Sequence, residues 1–500
     1  MYDKNKSFPG VKLKSLTCLA LALSAFPAWA EPLEVMPFLG GQQPGPALSR
    51  KHEALPFAAP YLLAAADTAS SGSRDALFGD DDDAPLATSA KPEKKVPAAG
   101  SGIKGFLQLE MARSVDAPAH WSKMLTRADV SSQGNLGDGI KWKLGARMDY
   151  DAVYSLYNFY PSEVARDQRF NLTLRENYLD VGAGDWDFRL GKQHVIWGEM
   201  VGLFFADVVS ARDMREFILP EFDTMRIPQW AARAEYFKDD YHAELLWIPV
   251  ASYDEIGKPG AEFYPYQLQP PGVAVQYRNE VRPSHTLANT NYGLRLSTLK
   301  NGWDVSGFAY SSMDIAPTFY RDAVSVPGTF IYEARHDRIR QFGGTLAKDF
   351  GSVVLKGEVV YTRGRQFSVL RLADADGVVP QNTVDWALGL DFTLLADTRL
   401  NMQVFQRDFL SHDPDLISDK QESGYSLLVN HKLSDKLEAQ ALWISSINRT
   451  DWLFRPRVTW NFERNWRLAV GADVFKGQPL GLFGRYDGRD RVYSEVRYSF

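Results

Sequence analysis

Apolar and polar side chains alternate through most of the chain after Gly102, in stretches of about ten residues. The clearest examples are residues 140–151, 383–394 and 466–474, in which every second side chain is apolar and those between are mostly charged or small. A period of two is typical of a β-strand with two different faces. Because strands in soluble sheets are usually shorter, such stretches favour tilted strands that cross a bilayer.

The connections between these stretches alternate in length. Short breaks such as 134–139 and 182–185 alternate with longer segments such as 151–168 and 251–288. Bacterial outer-membrane barrels have short periplasmic turns and long external loops. The pattern therefore predicts an all-β fold, a closed antiparallel transmembrane β-barrel of about eighteen strands, with sixteen also possible. The predicted strands begin near residues 103, 122, 139, 169, 185, 228, 241, 289, 302, 338, 352, 383, 398, 422, 436, 452, 465 and 489.

The composition excludes several other classes of protein. A mean hydropathy of -0.29 and the lack of long apolar runs after the first thirty residues exclude a bundle of transmembrane helices. With 45% hydrophobic and 13% aromatic residues, the chain is too apolar to be disordered throughout. The net charge of -6 gives no indication of nucleic-acid binding.

The N-terminal hundred residues differ from the rest of the chain. Residues 1–30 combine several lysines, a short apolar run and Ala28-Trp29-Ala30, a pattern typical of a cleaved signal peptide. Residues 31–100 show no sustained period and are expected to form a disordered periplasmic extension. The barrel is therefore expected over residues 101–500. Because Cys18, the one cysteine, falls in the predicted signal peptide, the mature chain is expected to lack disulfides.

The last strand ends in aromatic residues. Val492, Val496, Tyr498 and Phe500 share one face, and charged or polar residues take the other. A terminal aromatic residue on an alternating strand resembles the signal that the barrel-assembly machinery of the outer membrane recognises. We therefore predict that Tyr498 and Phe500 form this assembly signal and that the machinery is a partner.

Arginines recur on the polar face of the predicted strands, where they would line the lumen. The set comprises Arg127, Arg147, Arg175, Arg189, Arg233, Arg295, Arg340, Arg455, Arg457, Arg467 and Arg497. A guanidinium offers a fixed fork of donors to carboxylates and phosphates, so these arginines could form a path for anions. Acidic residues such as Asp129 and Asp473 share the same face, and ion pairing between the two sets is the alternative interpretation.

One acidic residue disagrees with the alternation. Glu176 falls on the apolar phase with Leu172, Leu174 and Tyr178. Either a bulge shifts the phase of this strand or Glu176 lies at the rim of the barrel.

The connection 197–227 mixes apolar and charged residues in a way that no other connection does. Exposed apolar patches usually pack or bind, so a loop of this kind is not expected to extend into water. We hypothesise that it folds into the lumen as a constriction, and capping of the external rim is the alternative. The residues expected to face the pore are Glu199, Arg212, Asp213, Arg215, Glu216 and Arg226.

The sequence carries no pattern that predicts an enzyme. The histidines are scattered, and neither a paired metal-binding spacing nor a serine nucleophile motif nor a phosphate-binding loop occurs. We therefore expect no catalysis, no cofactor and no metal site.

The stretch Leu190 to Glu199, together with Arg215-Glu216-Phe217-Ile218-Leu219-Pro220 and Arg226-Ile227-Pro228-Gln229-Trp230, resembles a proteobacterial family of outer-membrane proteins of undefined function. The resemblance extends over most of 102–500. It implies a large porin-type barrel and an association with envelope exporters of the resistance-nodulation-division type or with breakdown of hydrophobic compounds. The chain is also distantly similar to the alginate-export barrel.

Together these features predict a channel in the bacterial outer membrane. It would pass small anionic or hydrophobic solutes through an arginine-rich, loop-constricted lumen. The alternatives are an export conduit, for a polysaccharide or for the product of an inner-membrane pump, and a plugged structural or adhesin-like barrel. The expected partners are outer-membrane lipid and lipopolysaccharide, and for export also a periplasmic or inner-membrane exporter component.

Overall fold

A computed structural model describes residues 102–500, except 138, 199, 201–205, 268, 324, 370, 373, 395–396 and 480. The predicted signal peptide and the predicted extension 31–100 lie outside the described residues. Within them, no helix is long and apolar enough to cross a bilayer.

Eighteen strands form one closed antiparallel sheet, which confirms the predicted fold class and the higher of the two strand numbers. The strands are β1 (Ile103–Ser114), β2 (Trp121–Gly137), β3 (Ile140–Asp151), β4 (Phe170–Ala183), β5 (Trp186–Gln193), β6 (Gln229–Lys238), β7 (Tyr241–Val250), β8 (Asn291–Lys300), β9 (Trp303–Met313), β10 (Arg338–Asp349), β11 (Val353–Ser368), β12 (Val378–Leu394), β13 (Thr398–Phe409), β14 (Gln421–Ser434), β15 (Leu437–Ser446), β16 (Asp451–Glu463), β17 (Trp466–Gly477) and β18 (Arg491–Ser499).

The barrel closes between its first and last strands. β1 pairs antiparallel with β18, and Gly105 and Phe500 exchange two backbone hydrogen bonds of 2.9 Å. Closure leaves no sheet edge, as a strand network in hydrocarbon requires. Tyr498 and Phe500 lie on the outward face beside Trp466, and their role as an assembly signal stays a prediction.

The predicted strand starts agree with the structure to within two residues for seventeen strands. The exception is β12, expected at 383, which begins at Val378. β11 contains a bulge between Thr362 and Arg365, beyond which the two strands continue to pair. The bulge interrupts the alternation of apolar and polar side chains. The residue pairs beyond it therefore carried no period-two pattern from which the earlier start of β12 could be predicted.

Smaller elements lie in the long connections. Ala274–Tyr277, Thr329–Arg335 and Thr318–Asp322 form a three-stranded sheet, and Ala211–Arg212 pairs with Arg226–Ile227. The helices are Val153–Leu156, Ser162–Gln168 and Phe222–Met225, with single 3-10 turns at Leu287–Asn289 and Gly484–Tyr486.

The outward face is apolar, as the alternation predicted. Exposed apolar side chains recur there, among them Leu144, Met148, Leu172, Leu388 and Val470. A closed barrel with such a surface is the architecture by which strands cross the bacterial outer membrane, so the predicted location is confirmed. The long connections then mark the extracellular end and the short turns the periplasmic end.

A bulge resolves the position of Glu176. The pairing of β3 with β4 shifts register between Leu144 and Ala146. Glu176 consequently forms an ion pair with Lys143 at 2.7 Å, and the guanidinium of Arg189 lies 4.2 Å from the ring of Tyr178. Of the two possibilities, the shifted phase is correct.

The buried apolar core lies inside the barrel, where several connections pack together. Phe217, Phe263 and Tyr486 come from three different connections. The ring centre of Tyr486 lies 4.8 Å from that of Phe217 and 5.4 Å from that of Phe263. Phe475 of β17 joins them at 5.7 Å from Tyr486. The interior is therefore filled in large part by the chain's own loops.

Candidate functional site

The connection between β5 and β6, residues 194–228, is called here the inner loop. It contacts inward-facing side chains on widely separated strands, so it lies within the barrel. Glu199, predicted to face the pore, and residues 201–205 lie outside the described residues. Val209, Phe217 and Ile218 are buried, which relieves the exposure that so apolar a loop would have in water.

Trp197 attaches the first end of the inner loop to the wall. The side chain is completely buried, and Nε1 donates a hydrogen bond to Glu244 Oε1 of β7 at 3.0 Å. The indole ring packs on Phe308 of β9 at 5.2 Å. Strand β8, which lies between β7 and β9, carries Gly293. A Cβ atom at this position would lie only 2.5 Å from Trp197 Cη2. The missing side chain makes room for the indole.

Glu358 of β11 holds the next part of the inner loop. Its carboxylate accepts backbone hydrogen bonds from Met200 at 2.6 Å and Ala206 at 3.1 Å. Hydrogen bonds to a charged group contribute about 1.5–3 kcal/mol each. One buried carboxylate thus holds both Met200 and Ala206.

The far side of the inner loop meets a set of cations that we call the basic wall. It consists of Lys123, Arg455, Arg457, Arg467, Arg491 and Arg497, on β2, β16, β17 and β18. Among the described strand residues, the carboxylates of Glu110, Asp473 and Glu495 pair with these cations. Six cations therefore meet three strand carboxylates.

Two carboxylates of the inner loop neutralise most of this excess charge. Glu216 contacts Lys123 at 2.6 Å and Arg491 at 3.1 Å. Glu221 contacts Arg467 at 2.5 Å, Arg497 at 2.8 Å and Arg457 at 3.1 Å. These ion pairs hold the inner loop across the lumen from Trp197.

The surrounding cations keep both carboxylates ionised. Burial alone would raise the pKa of the Glu216 carboxyl, but Lys123 and Arg491 hold that pKa at about 2. Burial also opposes ionisation of Glu221, and the guanidinium groups of Arg497, Arg467 and Arg457 lower its pKa well below the ordinary value. Both anchors are therefore charged throughout the physiological pH range.

Three inward-facing arginines of the barrel strands, one of them from the basic wall, bind backbone carbonyls of the inner loop. Arg455 donates to Leu219 O at 2.7 Å, and Arg147 donates to Thr224 O at 2.7 Å. Arg175 donates to the carbonyls of Asp223 and Arg226, both at 2.8 Å. These contacts satisfy carbonyls at and beside the short helix Phe222–Met225, whose last carbonyls have no partner within the helix.

The predicted residues of the inner loop divide into two groups. Asp213 and Arg215 pair at 2.5 Å and, with Glu216, face a polar cavity. Arg226 is buried and forms an ion pair with Asp207 at 3.1 Å. It lines neither of the two polar cavities beside the inner loop, so it stabilises the loop from within.

Arg212 connects the inner loop with the connection between β7 and β8. Its backbone N–H donates to Asp254 Oδ1 at 2.8 Å, and its guanidinium lies 3.8 Å from the same carboxylate. Burial raises the pKa of the Asp254 carboxyl to about 6, although the charge of Arg212 opposes the shift. Arg212 also lines a cavity on this side of the loop.

The remaining predicted arginines that face inward contact residues of the barrel strands. Arg189 pairs with Asp180 at 2.6 Å, Arg233 with Glu235 at 2.7 Å, and Arg295 donates to Ser306 at 3.2 Å. The alternative interpretation, ion pairing with carboxylates, describes Arg189 and Arg233. Arg340 was assigned to the wrong face: it is exposed on the outside of β10, because polarity no longer marks the inward face near the rim.

Two polar cavities lie beside the inner loop. One is lined by Lys123, Arg127 and Glu216, and the other by Arg212, Arg365 and Arg407. The first adjoins β2–β4 and the second adjoins β9–β13. Residues of the inner loop line both cavities, and its role as a constriction stays a prediction.

Glu235, His242 and Glu244 could in principle hold a metal ion, since their ligand atoms lie within 4.8 Å of one another. Each carboxylate already has a partner. Glu235 pairs with Arg233, and Glu244 accepts from Trp197. The neighbouring guanidinium supplies the positive charge that a cation would bring.

Several site residues were missed from the sequence. Trp197, Glu221, Asp254 and Glu358 were not predicted to hold the inner loop. Glu221 stands next to a proline in a segment already singled out, and the several arginines of β16–β18 favoured a carboxylate partner from a loop. No periodic pattern, however, indicates which loop residue reaches them.

A family described as "Protein of unknown function (DUF1302)" matches residues 119–500. This confirms the resemblance to a family of undefined function. None of the curated proteins matches the chain.

Solved barrels share the fold at low sequence identity. OccAB1 of Acinetobacter baumannii is 7% identical with a TM-score of 0.51, covering 82% of this chain and 99% of its own. OccK8 (OprE) of Pseudomonas aeruginosa is 9% identical with a TM-score of 0.47, covering 80% and 98%. Salmonella typhi OmpF, solved in complex with daunomycin, is 9% identical with a TM-score of 0.40, covering 80% and 98%. At such identity the likeness to OccAB1 shows a common fold alone.

Proposed function

The chain belongs to the DUF1302 family, a family of unknown function, and we propose that it is a passive channel of the outer membrane for small anionic solutes. The observation that carries the proposal is the path of the inner loop. The loop is tied to β7 and β11 at one end and to the basic wall at the other, and polar cavities remain on both sides. Solutes would pass beside it.

The basic wall supports a preference for anions. Arg457, Arg467 and Arg497 surround Glu221 and Glu495. Arg467 Nε has no hydrogen-bond partner among the described residues. A lumen lined by fixed guanidinium groups lowers the electrostatic barrier for an anion and raises it for a cation.

Hydrophobic solutes, the other class expected from the sequence, have less support. Charged side chains line much of both cavities, and an apolar solute would have to displace water from them. The proposal assigns no catalytic step to the barrel. Export of a pump product stays a prediction from the family resemblance.

Recording in planar bilayers under a KCl gradient tests this function. We expect discrete conductance steps and a reversal potential of the sign that chloride preference gives. Arg467→Gln should move that potential towards zero. A reversal potential of the opposite sign would exclude anion selectivity, and a protein that folds but never conducts would be the plugged, structural barrel.

A further inference from the structure

Two unpaired arginines face each other on the outside of the barrel. Arg340 of β10 and Arg363 of β11 are direct cross-strand neighbours, and both are exposed. Within the described part of the chain, neither guanidinium makes a hydrogen bond or an ion pair. Like charges in directly opposite positions destabilise a sheet. The counter-charge for this pair must therefore come from the surroundings of the barrel.

The height of Arg340 and Arg363 along the barrel axis shows which layer of the membrane surrounds them. From Arg340 to Asp349, the periplasmic end of β10, the chain rises by about 23 Å along the barrel axis at the usual strand rise and tilt. That distance is close to the height of the apolar belt of such barrels, about 25 Å. Directly below the pair, the rings of Phe342 and Tyr361 stack at 6.5 Å. Arg340 and Arg363 thus lie at the level of the outer-leaflet head groups.

The other end of the same strand shows the contrast. Lys348 also faces outward, but its ammonium group donates to Asn301 O at 2.5 Å and lies 5.7 Å from the ring of Trp303. The periplasmic cation is satisfied by the protein, whereas the extracellular pair is not.

A mainly apolar groove runs along the outer surface to Arg340. It follows two adjacent rows of cross-strand neighbours on six consecutive strands, β5 to β10. The row that ends at Arg340 consists of Leu190, Ala232, Trp247, Tyr292, Ser311 and Arg340. The small residues Ala232, Ala309 and Ser311 form the hollow between larger neighbours.

From this arrangement we infer a binding site for lipopolysaccharide, the phosphorylated glycolipid of the outer leaflet. A phosphate of the lipid lies between Arg340 and Arg363, and an acyl chain lies in the groove. Arginine binds phosphate through parallel charge-assisted hydrogen bonds, and basic clusters at the membrane surface recognise anionic head groups. The site is on the outer surface, so it does not depend on conduction through the lumen.

The test measures binding of rough lipopolysaccharide to the purified full-length protein in detergent. We expect saturable binding that weakens at least tenfold in the double variant Arg340→Gln/Arg363→Gln. Ala309→Phe, which fills the groove without touching the arginines, should also weaken it. Arg335→Gln is the matched control, because that exposed arginine already pairs with Glu333 at 2.6 Å.

Two further probes identify the ligand. Dephosphorylated lipopolysaccharide should bind wild type weakly, with the same affinity that intact lipopolysaccharide has for the double variant. Inorganic phosphate at the same concentration as lipopolysaccharide should not compete for the site. Unchanged affinity in the double variant, or full competition by inorganic phosphate, would overturn the proposal. A β-sheet circular-dichroism spectrum equal to that of wild type shows that the variants are folded, whether or not the barrel conducts.

Discussion

The carboxylate of Glu221 accepts a 2.5 Å hydrogen bond from Arg467, a residue 246 positions further along the chain. This contact joins the inner loop to the wall of the barrel opposite Trp197. A loop held at only one end could move aside, whereas a loop held at both ends narrows the lumen permanently. If the barrel conducts as proposed, the width of its passage depends on a few buried contacts that substitution can remove one at a time.

Glu221→Gln should loosen the inner loop from the basic wall. The substitution keeps the shape of the side chain but leaves three guanidinium groups facing one carboxylate, and breaking a buried ion pair costs about 3–5 kcal/mol. We expect a larger single-channel conductance, more current noise and a stronger anion preference. Glu163→Gln, an exposed residue of the helix Ser162–Gln168, is the control. Identical recordings for both variants would show that Glu221 does not restrain the loop.

Glu358→Ala should free the other end of the inner loop. The backbone N–H groups of Met200 and Ala206 lose their shared acceptor, and each buried unsatisfied donor costs about 1–3 kcal/mol. Glu358→Gln keeps an acceptor oxygen and should have a smaller effect. Protease cleavage within 199–206 of the folded barrel measures the change. Equal resistance of wild type and Glu358→Ala to the protease would refute this anchor.

Gly293→Ala should disturb Trp197. The new methyl group would lie 2.5 Å from Trp197 Cη2 and 2.9 Å from Tyr310, and overpacking of this kind costs about 1–3 kcal/mol. Gly307→Ala on the adjacent strand is the control, because its nearest neighbour would be a backbone oxygen at 3.8 Å. Urea unfolding in lipid vesicles compares the two. A loss of stability in the control as large as that in Gly293→Ala would contradict the proposed packing.

Asp254 should make the stability of the fold depend on pH. Its folded pKa of about 6 lies above the ordinary 3.8, so the folded state binds the proton more tightly than the unfolded state. That contribution is complete below about pH 4 and is lost as the pH rises through 6. Relative to Asp254→Asn, wild type should lose on the order of 2 kcal/mol between pH 4 and pH 7.5. Parallel pH profiles of the unfolding free energy would rule this out.

The alternation of side chains predicted the barrel well, because each transmembrane strand must present one face to lipid and one to the lumen. It failed where that constraint ends. At the rim, Arg340 faces outward without entering hydrocarbon, and at the bulge in β11 the phase changes. The partners of the inner loop were beyond prediction for another reason. Glu221 and Arg467 are brought together only by closure of the barrel, and no local pattern encodes that distance.

Single-channel conductance after removal of residues 203–219 tests most directly whether the inner loop narrows a conducting lumen. If solutes pass beside the loop, the shortened protein should show discrete steps clearly larger than those of wild type in the same salt. A folded, shortened barrel whose conductance equals that of wild type would contradict the role of the loop, and one that does not conduct at all would contradict the channel itself.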